Sequence, residues 1–211
     1  MLAARALDSL VRARYGDSLV IAEWHPYAHD GFNINPDDSV RVGRYQHNPG
    51  QPSLALDGYQ EVAMPSDPSE YYATFEAAIR TVKSTAAYVA LTVTGEADTV
   101  EGRIAVSLAM DSITSGSSPT LYCVLTEDSL LDPLGGRYSR VPRQFLPDPN
   151  GIPVGSLRRG DTLDTVLTFV ATGQRLDKLG AAVFVEDASG TEEHRVLQSA
   201  TIDRFVLTEE K

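Results

Sequence analysis

The feature that most restricts what this chain can fold into is a change of hydrophobic period near residue 85. Upstream, the longest patterned segments repeat at three or four residues, as a helix face requires. Downstream, Tyr88–Val93, Arg103–Met110, Leu121–Leu125, Thr162–Ala171, Ala181–Val185 and Val196–Phe205 alternate or form short buried runs, separated by Gly, Pro, Asp and Ser. Strands at such intervals with no helix signal between them predict an antiparallel β-sandwich. The boundary is placed near Ser84–Ala87, giving a mixed α/β unit over 1–84 and an all-β unit over 85–211.

In the first unit, Ala3, Ala6, Leu7, Leu10 and Val11 share one helical face over residues 2–15, and Gly16 stands where a C-cap is needed. Leu19-Val20-Ile21-Ala22 reads as a short buried strand. Asn35-Pro36-Asp37-Asp38 combines an N-cap, a first-turn proline and acids that suit the helix dipole, so a short helix is expected to about Tyr45. Asn48–Pro52 is a turn, followed by a strand over 53–56 that ends at Asp57-Gly58. Ser66-Asp67-Pro68-Ser69-Glu70 repeats the helix-start signal, with Tyr72, Phe75, Ile79 and Val82 as the apolar stripe of a helix to about Lys83.

At 211 residues, 42% of them hydrophobic, the chain can bury a sizeable core. No window holds the roughly 18 uninterrupted apolar residues of a membrane helix, so no membrane span is expected. A formal charge of −11 argues against nucleic acid, whose binding needs a dense basic surface. The opening residues lack the basic start, apolar centre and cleavage site of a secretory signal.

Cys123 is the sole cysteine, which excludes an intrachain disulfide and a thiolate metal cluster within one chain. It sits between Leu121 and Leu125 in an alternating strand and reads as a buried, inert thiol. His25, His29, Asp30 and His47 could in principle fill a zinc shell, but their spacing matches no ligand pattern. The plainer reading is loop residues, and no metal or other cofactor is expected. No nucleophile elbow, zinc-protease helix or phosphate loop occurs, so no catalytic residue is assigned. His194, in Glu192-Glu193-His194-Arg195, reads as a solvated hairpin tip. Arg137, Arg140, Arg143, Arg158 and Arg159 form a locally basic stretch, read as solvated loop charges. Alternatively, Arg140 and Arg143 contact an anion or an acidic protein partner, since guanidinium forks suit carboxylates.

The order of elements in the first unit resembles a thioredoxin-type domain, with Gln51-Pro52 ahead of the following strand resembling that family's cis-proline loop. The run Tyr15-Gly16-Asp17-Ser18-Leu19-Val20-Ile21, with His25, Asp30, Arg44-Tyr45, Pro52 and Asp57-Gly58, is similar to the Omp28-related group of bacterial envelope proteins. In the second half, residues 121–128, Val141-Pro142-Arg143, Phe145-Leu146-Pro147, Asn150-Gly151 and Val183–Asp187 extend the resemblance. It implies a thioredoxin-like domain joined to a C-terminal immunoglobulin-like one, a secreted, periplasmic or outer-membrane-associated location, and a groove at Gln51 and Pro52 that binds extended protein backbone. It also implies a Cys-x-x-Cys just ahead of the first helix, where the helix N-terminus lowers a thiol pKa. That pair and the strand before it are absent from the sequence.

Two functions follow as expectations. One is a non-catalytic protein-binding or assembly module of the envelope. The other is a shortened thiol–disulfide oxidoreductase whose Cys-x-x-Cys lies upstream of Met1. Absence of the first strand also leaves a sheet edge open, so a homodimer through an exposed edge is expected.

Overall fold

The computed structural model describes residues 2–25, 32, 54–84, 87–111, 118–131, 136–155, 158–187 and 194–209. The first unit opens with α1 (Leu2–Leu10), which continues into a π-helical turn over Val11–Tyr15 and a single 3₁₀ turn over Gly16–Ser18. Gly16 ends the helical run at φ 50°, and its amide donates to the Val11 carbonyl, as a C-terminal glycine does. A hairpin follows, β1 (Leu54–Leu56) paired with β2 (Gln60–Val62). Its turn needs positive φ at two successive residues, and Asp57 (47°) and Gly58 (75°) supply it.

Asp67 accepts from the Ser69 amide at 2.9 Å, and a 3₁₀ turn over Pro68–Glu70 leads into α2 (Tyr71–Lys83). The helix start and end therefore fall where the capping residues predict. Phe75 and Ile79 are buried with Leu10, Leu56 and Val62, so α1, α2 and the hairpin share one small core. Leu19–Ala22 is irregular rather than a strand. The hairpin strands pair only with each other among the described residues, so this run has no ladder to join; Leu19 packs on the helical core instead.

The second unit is two sheets packed face to face. One has the order β10 (Thr162–Val170), β4 (Glu101–Met110), β3 (Val89–Ala97), β13 (Val206–Leu207), antiparallel except for the β13–β3 pair. The other has the order β12 (Arg195–Ile202), β11 (Leu179–Asp187), β5 (Pro119–Glu127), β8 (Val141–Leu146), with β9 (Ile152–Pro153) also on β5. A small ladder, β6 (Leu130–Leu131) with β7 (Arg137–Tyr138), stands apart. The chain is thus mostly β-sheet with few helices, as the change of period implies.

The shared core runs from Ile104, Val106 and Leu108 on β4 to Leu121, Cys123 and Leu125 on β5 and Val183 and Val185 on β11. Phe169 faces Gly102 across the β10–β4 ladder. Its ring occupies the space that a side chain at 102 would need, so an aromatic covers a bare stretch of backbone.

The sheets differ in how their outer faces meet solvent. On β3, β4 and β10 burial alternates, so one face is wet. On β5 and β11 nearly every residue is buried. Tyr122, Val124, Phe145 and Phe184 form a second apolar layer on that sheet's outer face, and Trp24 and Val196 pack against it.

Candidate functional site

The junction between the helices and the β-sheets gathers several half-buried charges and aromatic rings among the described residues. After the 3₁₀ turn, the segment runs from Leu19 on the helical core to Trp24 on the outer face of the β12–β11–β5–β8 sheet. Trp24 stacks on Phe145 with centroids 5.7 Å apart and planes 19° apart. His25 meets Phe32 edge-on at 5.3 Å and Tyr138 at 4.8 Å. Each such ring pair adds about 0.5–1.5 kcal/mol beyond the area it buries.

Polar ties reinforce the rings. The Glu23 amide donates to the Arg140 carbonyl at 3.1 Å, and the Ser139 amide donates to Glu23 Oε2 at 3.4 Å. Arg140 holds φ 56°; its amide donates to Asp128 Oδ1 at 2.7 Å and its guanidinium to Asp8 on α1 at 2.6 Å. One residue thereby connects α1, the 19–25 segment and the β7–β8 turn. Burial raises the Glu23 pKa above its ordinary range, with the nearby His25 and the Ser139 amide pulling the other way.

A second set of ties lies at the hairpin. The Val196 amide on β12 donates to the Asp57 carbonyl at 2.7 Å. The Arg195 guanidinium stands 5.5 Å from the Tyr59 ring and 5.9 Å from the Tyr88 ring. Asp57 also titrates above its ordinary value, because burial outweighs the attraction of Arg195. Two separate contact sets hold the helical unit to one sheet, which opposes hinge motion between them.

The arginines divide by setting. Arg140 is no solvated loop charge, since its side chain is only 19% exposed and is ion-paired. Arg143 lies 3.4 Å from Glu127, which Arg175 also approaches at 3.7 Å. Two guanidinium groups share that carboxylate. Arg159 is 82% exposed and fits the solvated reading.

His194 is likewise not a solvated tip. Its Nδ1 lies 3.0 Å from Oε1 of Glu186, which is 2% exposed. The strand partner that brings Glu186 beneath it could not be read from the local charge run. Cys123 is fully buried, and desolvation pushes its thiol up to about 12, as the alternating pattern around it predicts. Gln51 and Pro52 lie outside the described residues, as do His29, Asp30, His47, Arg44, Tyr45 and the helix start at Asn35. The cis prolyl bond among the described residues is Leu146–Pro147, at the end of β8.

Among the described residues no three His, Cys, Asp or Glu side chains converge as metal ligands. No described helix is long and apolar enough to cross a membrane. A hollow of about 330 Å³ on the wet face of the β10–β4–β3 sheet is lined by Thr92, Thr94, Ala105, Ser107, Asp164 and Val166, among others. It is shallow, and its described lining carries one charge, that of Asp164. Trp24, Asp8, Glu23 and Tyr138 were not singled out by sequence. The one available signal was that Trp24 is the only tryptophan and adjoins an apolar run.

Fold and site together define a mostly β protein with few helices, in which a small helical cluster packs against one of several antiparallel sheets. No family model matches the chain, and no curated protein does. Among solved structures, the chain is similar in fold to HBP35 of Porphyromonas gingivalis, with a TM-score of 0.64 at 12% identity over 82% of this chain and 60% of that one. The chain therefore spans 60% of the length of that relative. A domain of the outer membrane lipoprotein Omp28 from Porphyromonas gingivalis matches with a TM-score of 0.42 at 13% identity, over 59% of this chain and 93% of that one.

Proposed function

We propose that this chain is a non-catalytic protein-binding or assembly module of the bacterial cell envelope, built from a thioredoxin-like unit over 1–84 and an immunoglobulin-like sandwich over 85–211. The division is supported by separate hydrophobic cores on either side of residue 85. The sandwich reading is supported by β10, β4 and β3 facing β12, β11, β5 and β8, a Greek-key arrangement. The envelope placement rests on the sequence resemblance to the Omp28-related group.

One observation carries the choice of binding over chemistry. The sole thiol is sealed between the sheets, whereas the rim residues Arg143 and Arg175 and a full-length sheet edge face outward. Such features suit strand addition and charge-complementary contact with a protein. Arg143 is the better candidate contact of the two arginines first singled out, because Arg140 is committed to Asp8. Capture from an envelope fraction with the full chain, comparing wild type with Arg143→Glu and Arg175→Glu, tests this. Retention of one partner by wild type and its loss in the variants is expected; equal capture by all three overturns the rim as the contact.

A second reading is favoured by the packing of α1 on α2 and the hairpin, the scaffold on which a thiol pair ahead of α1 would be activated. The intact mass of the native protein and the coding sequence before Met1 separate the two. A Cys-x-x-Cys there makes thiol–disulfide exchange the leading function, with Pro52 in its substrate loop.

A further inference from the structure

Sheet edges invite pairing, and folded proteins guard them with proline, bulges, brevity or cover. The described edges of this sandwich differ in how far they are guarded. β8 contains Pro142, and β13 has two residues, which pair with only Glu96 and Ala97 of β3 and leave the rest of that strand's outer side without a ladder partner among the described residues. β12 departs from regular register at Val185/Glu186 of its partner. β10 is the longest edge without such a guard: nine residues, Thr162–Val170, with no proline or lysine, and hydrogen-bonded only to β4 among the described residues.

The ladder shows which groups β10 presents. Asp161 and Ala171, immediately beyond its ends, both bond toward the β4 side, where the Asp161 carbonyl accepts from Met110 and the Ala171 amide donates to Val100. Antiparallel bonding alternates, so the odd residues between them also face β4. The even residues, Thr162, Asp164, Val166, Thr168 and Val170, turn N–H and C=O groups outward. Their side chains lie on the wet face, where Val166 is 61% and Val170 69% exposed.

We infer that β10 pairs antiparallel with β10 of a second copy of this chain about a two-fold axis at Val166, joining two β10–β4–β3 sheets into one. This rests on the sheet-edge binding proposed above and names its site and occupant. The register is the one in which all nine residues overlap. It sets Val166 against its own copy, Asp164 against Thr168, and Thr162 against Val170, with outward groups for on the order of ten backbone hydrogen bonds.

Charge selects the same arrangement. Two chains of formal charge −11 repel at a distance, yet Asp164 is the only charged residue on β10. Arg103 neighbours Thr168 on β4, so across the axis Asp164 of one copy lies two strands, about 10 Å, from Arg103 of the other. The long guanidinium side chain, 56% exposed, bonds to Glu101 in its own copy at 2.5 Å and 2.9 Å, and pairing with Asp164 requires it to turn from that carboxylate across the gap. Within one copy, the ladder sets Asp164 against Ser107, four residues along β4 from Arg103. The attraction therefore exists only between copies. An edge-to-edge contact buries little area, which makes the dimer weak and concentration-dependent.

The test uses the full chain. Sedimentation equilibrium up to roughly 1 mM should show reversible dimers. Val166→Pro, which removes only an outward N–H, should weaken them at least tenfold with unchanged circular dichroism. Asp164→Arg and Arg103→Asp should each weaken self-association, whereas their mixture should dimerise, because each copy then faces its opposite charge. For register, Val166→Cys should form a disulfide dimer under mild oxidation, since its copy lies directly opposite at about 5.5 Å between Cα atoms. The equally exposed Val170→Cys should not, lying far from its own copy. A strictly monomeric wild type, or equal cross-linking at 166 and 170, overturns the inference. Neither result bears on partner capture through Arg143 and Arg175, which stands or falls separately.

Discussion

Arg140 and Asp8 are separated by 132 positions in the sequence, yet their side chains meet at 2.6 Å across the junction of the helical and β units. Both are largely withdrawn from solvent, at 19% and 25% exposure. A pair so placed is screened less than an exposed one. Asp8→Asn and Arg140→Gln should each destabilise the protein by about 1–3 kcal/mol. The double variant should reveal a coupling of about 0.5–3 kcal/mol in urea denaturation. The exposed pair Arg159–Asp111, at 3.7 Å, should couple by less than about 1 kcal/mol in the same experiment. A coupling near zero for Asp8–Arg140 would assign the junction to its aromatic contacts.

Glu23 gives the junction a pH dependence. Burial raises its pKa above the ordinary 4.5, against the opposing pull of His25 and the Ser139 amide. The folded state therefore holds the Glu23 proton more tightly than the unfolded chain. That contribution to stability is full below pH 4.5 and is lost as pH rises through the folded-state value. Asp57 acts in the same direction from its ordinary 3.8, again through burial. Glu23→Gln, which keeps an acceptor for Ser139, should raise the denaturation midpoint at pH 7 and match wild type near pH 4. A lower midpoint at pH 7 would show that the charge, through His25, is needed in the fold.

Cys123 should behave as a core methylene rather than a nucleophile. With its pKa pushed up to about 12 and no exposed surface, it should react with aromatic disulfides only as fast as the chain unfolds, and denaturant-dependent labelling kinetics check this. Cys123→Ser should destabilise by about 1–3 kcal/mol, since the hydroxyl enters an apolar layer between Leu121 and Leu125. Rapid labelling under native conditions would contradict the sealed core.

Much of the backbone plan was legible in local sequence. The limits of α2 follow from Asp67, Pro68 and its apolar stripe, and the hairpin turn from Asp57-Gly58, because each depends on residues within a turn of one another. The six alternating runs after residue 85 appear as six strands for the same reason. Short elements were missed, as with β8, where Pro142 interrupts the pattern and pairing with β5 overrides it. Leu19–Ala22 failed as a strand although its composition is right, since a strand exists only beside another.

The candidate sites were less legible still. Arg140 and Arg143 look alike in sequence, yet one spans the junction and the other stands at the rim. His194 looks solvated in its charged run but rests on the buried Glu186. By itself, the sequence determined the change from helical to alternating elements, the capped ends of α2, the hairpin turn and the sealed thiol, since these follow from periodicity and from bonds a few residues long. Only the tertiary structure decided that α1 is tied to Arg140, that Trp24 covers the outer apolar layer, and that β10 forms a nine-residue sheet edge. Those facts depend on which distant surfaces meet, and burial and pairing between strands are properties of the assembled chain.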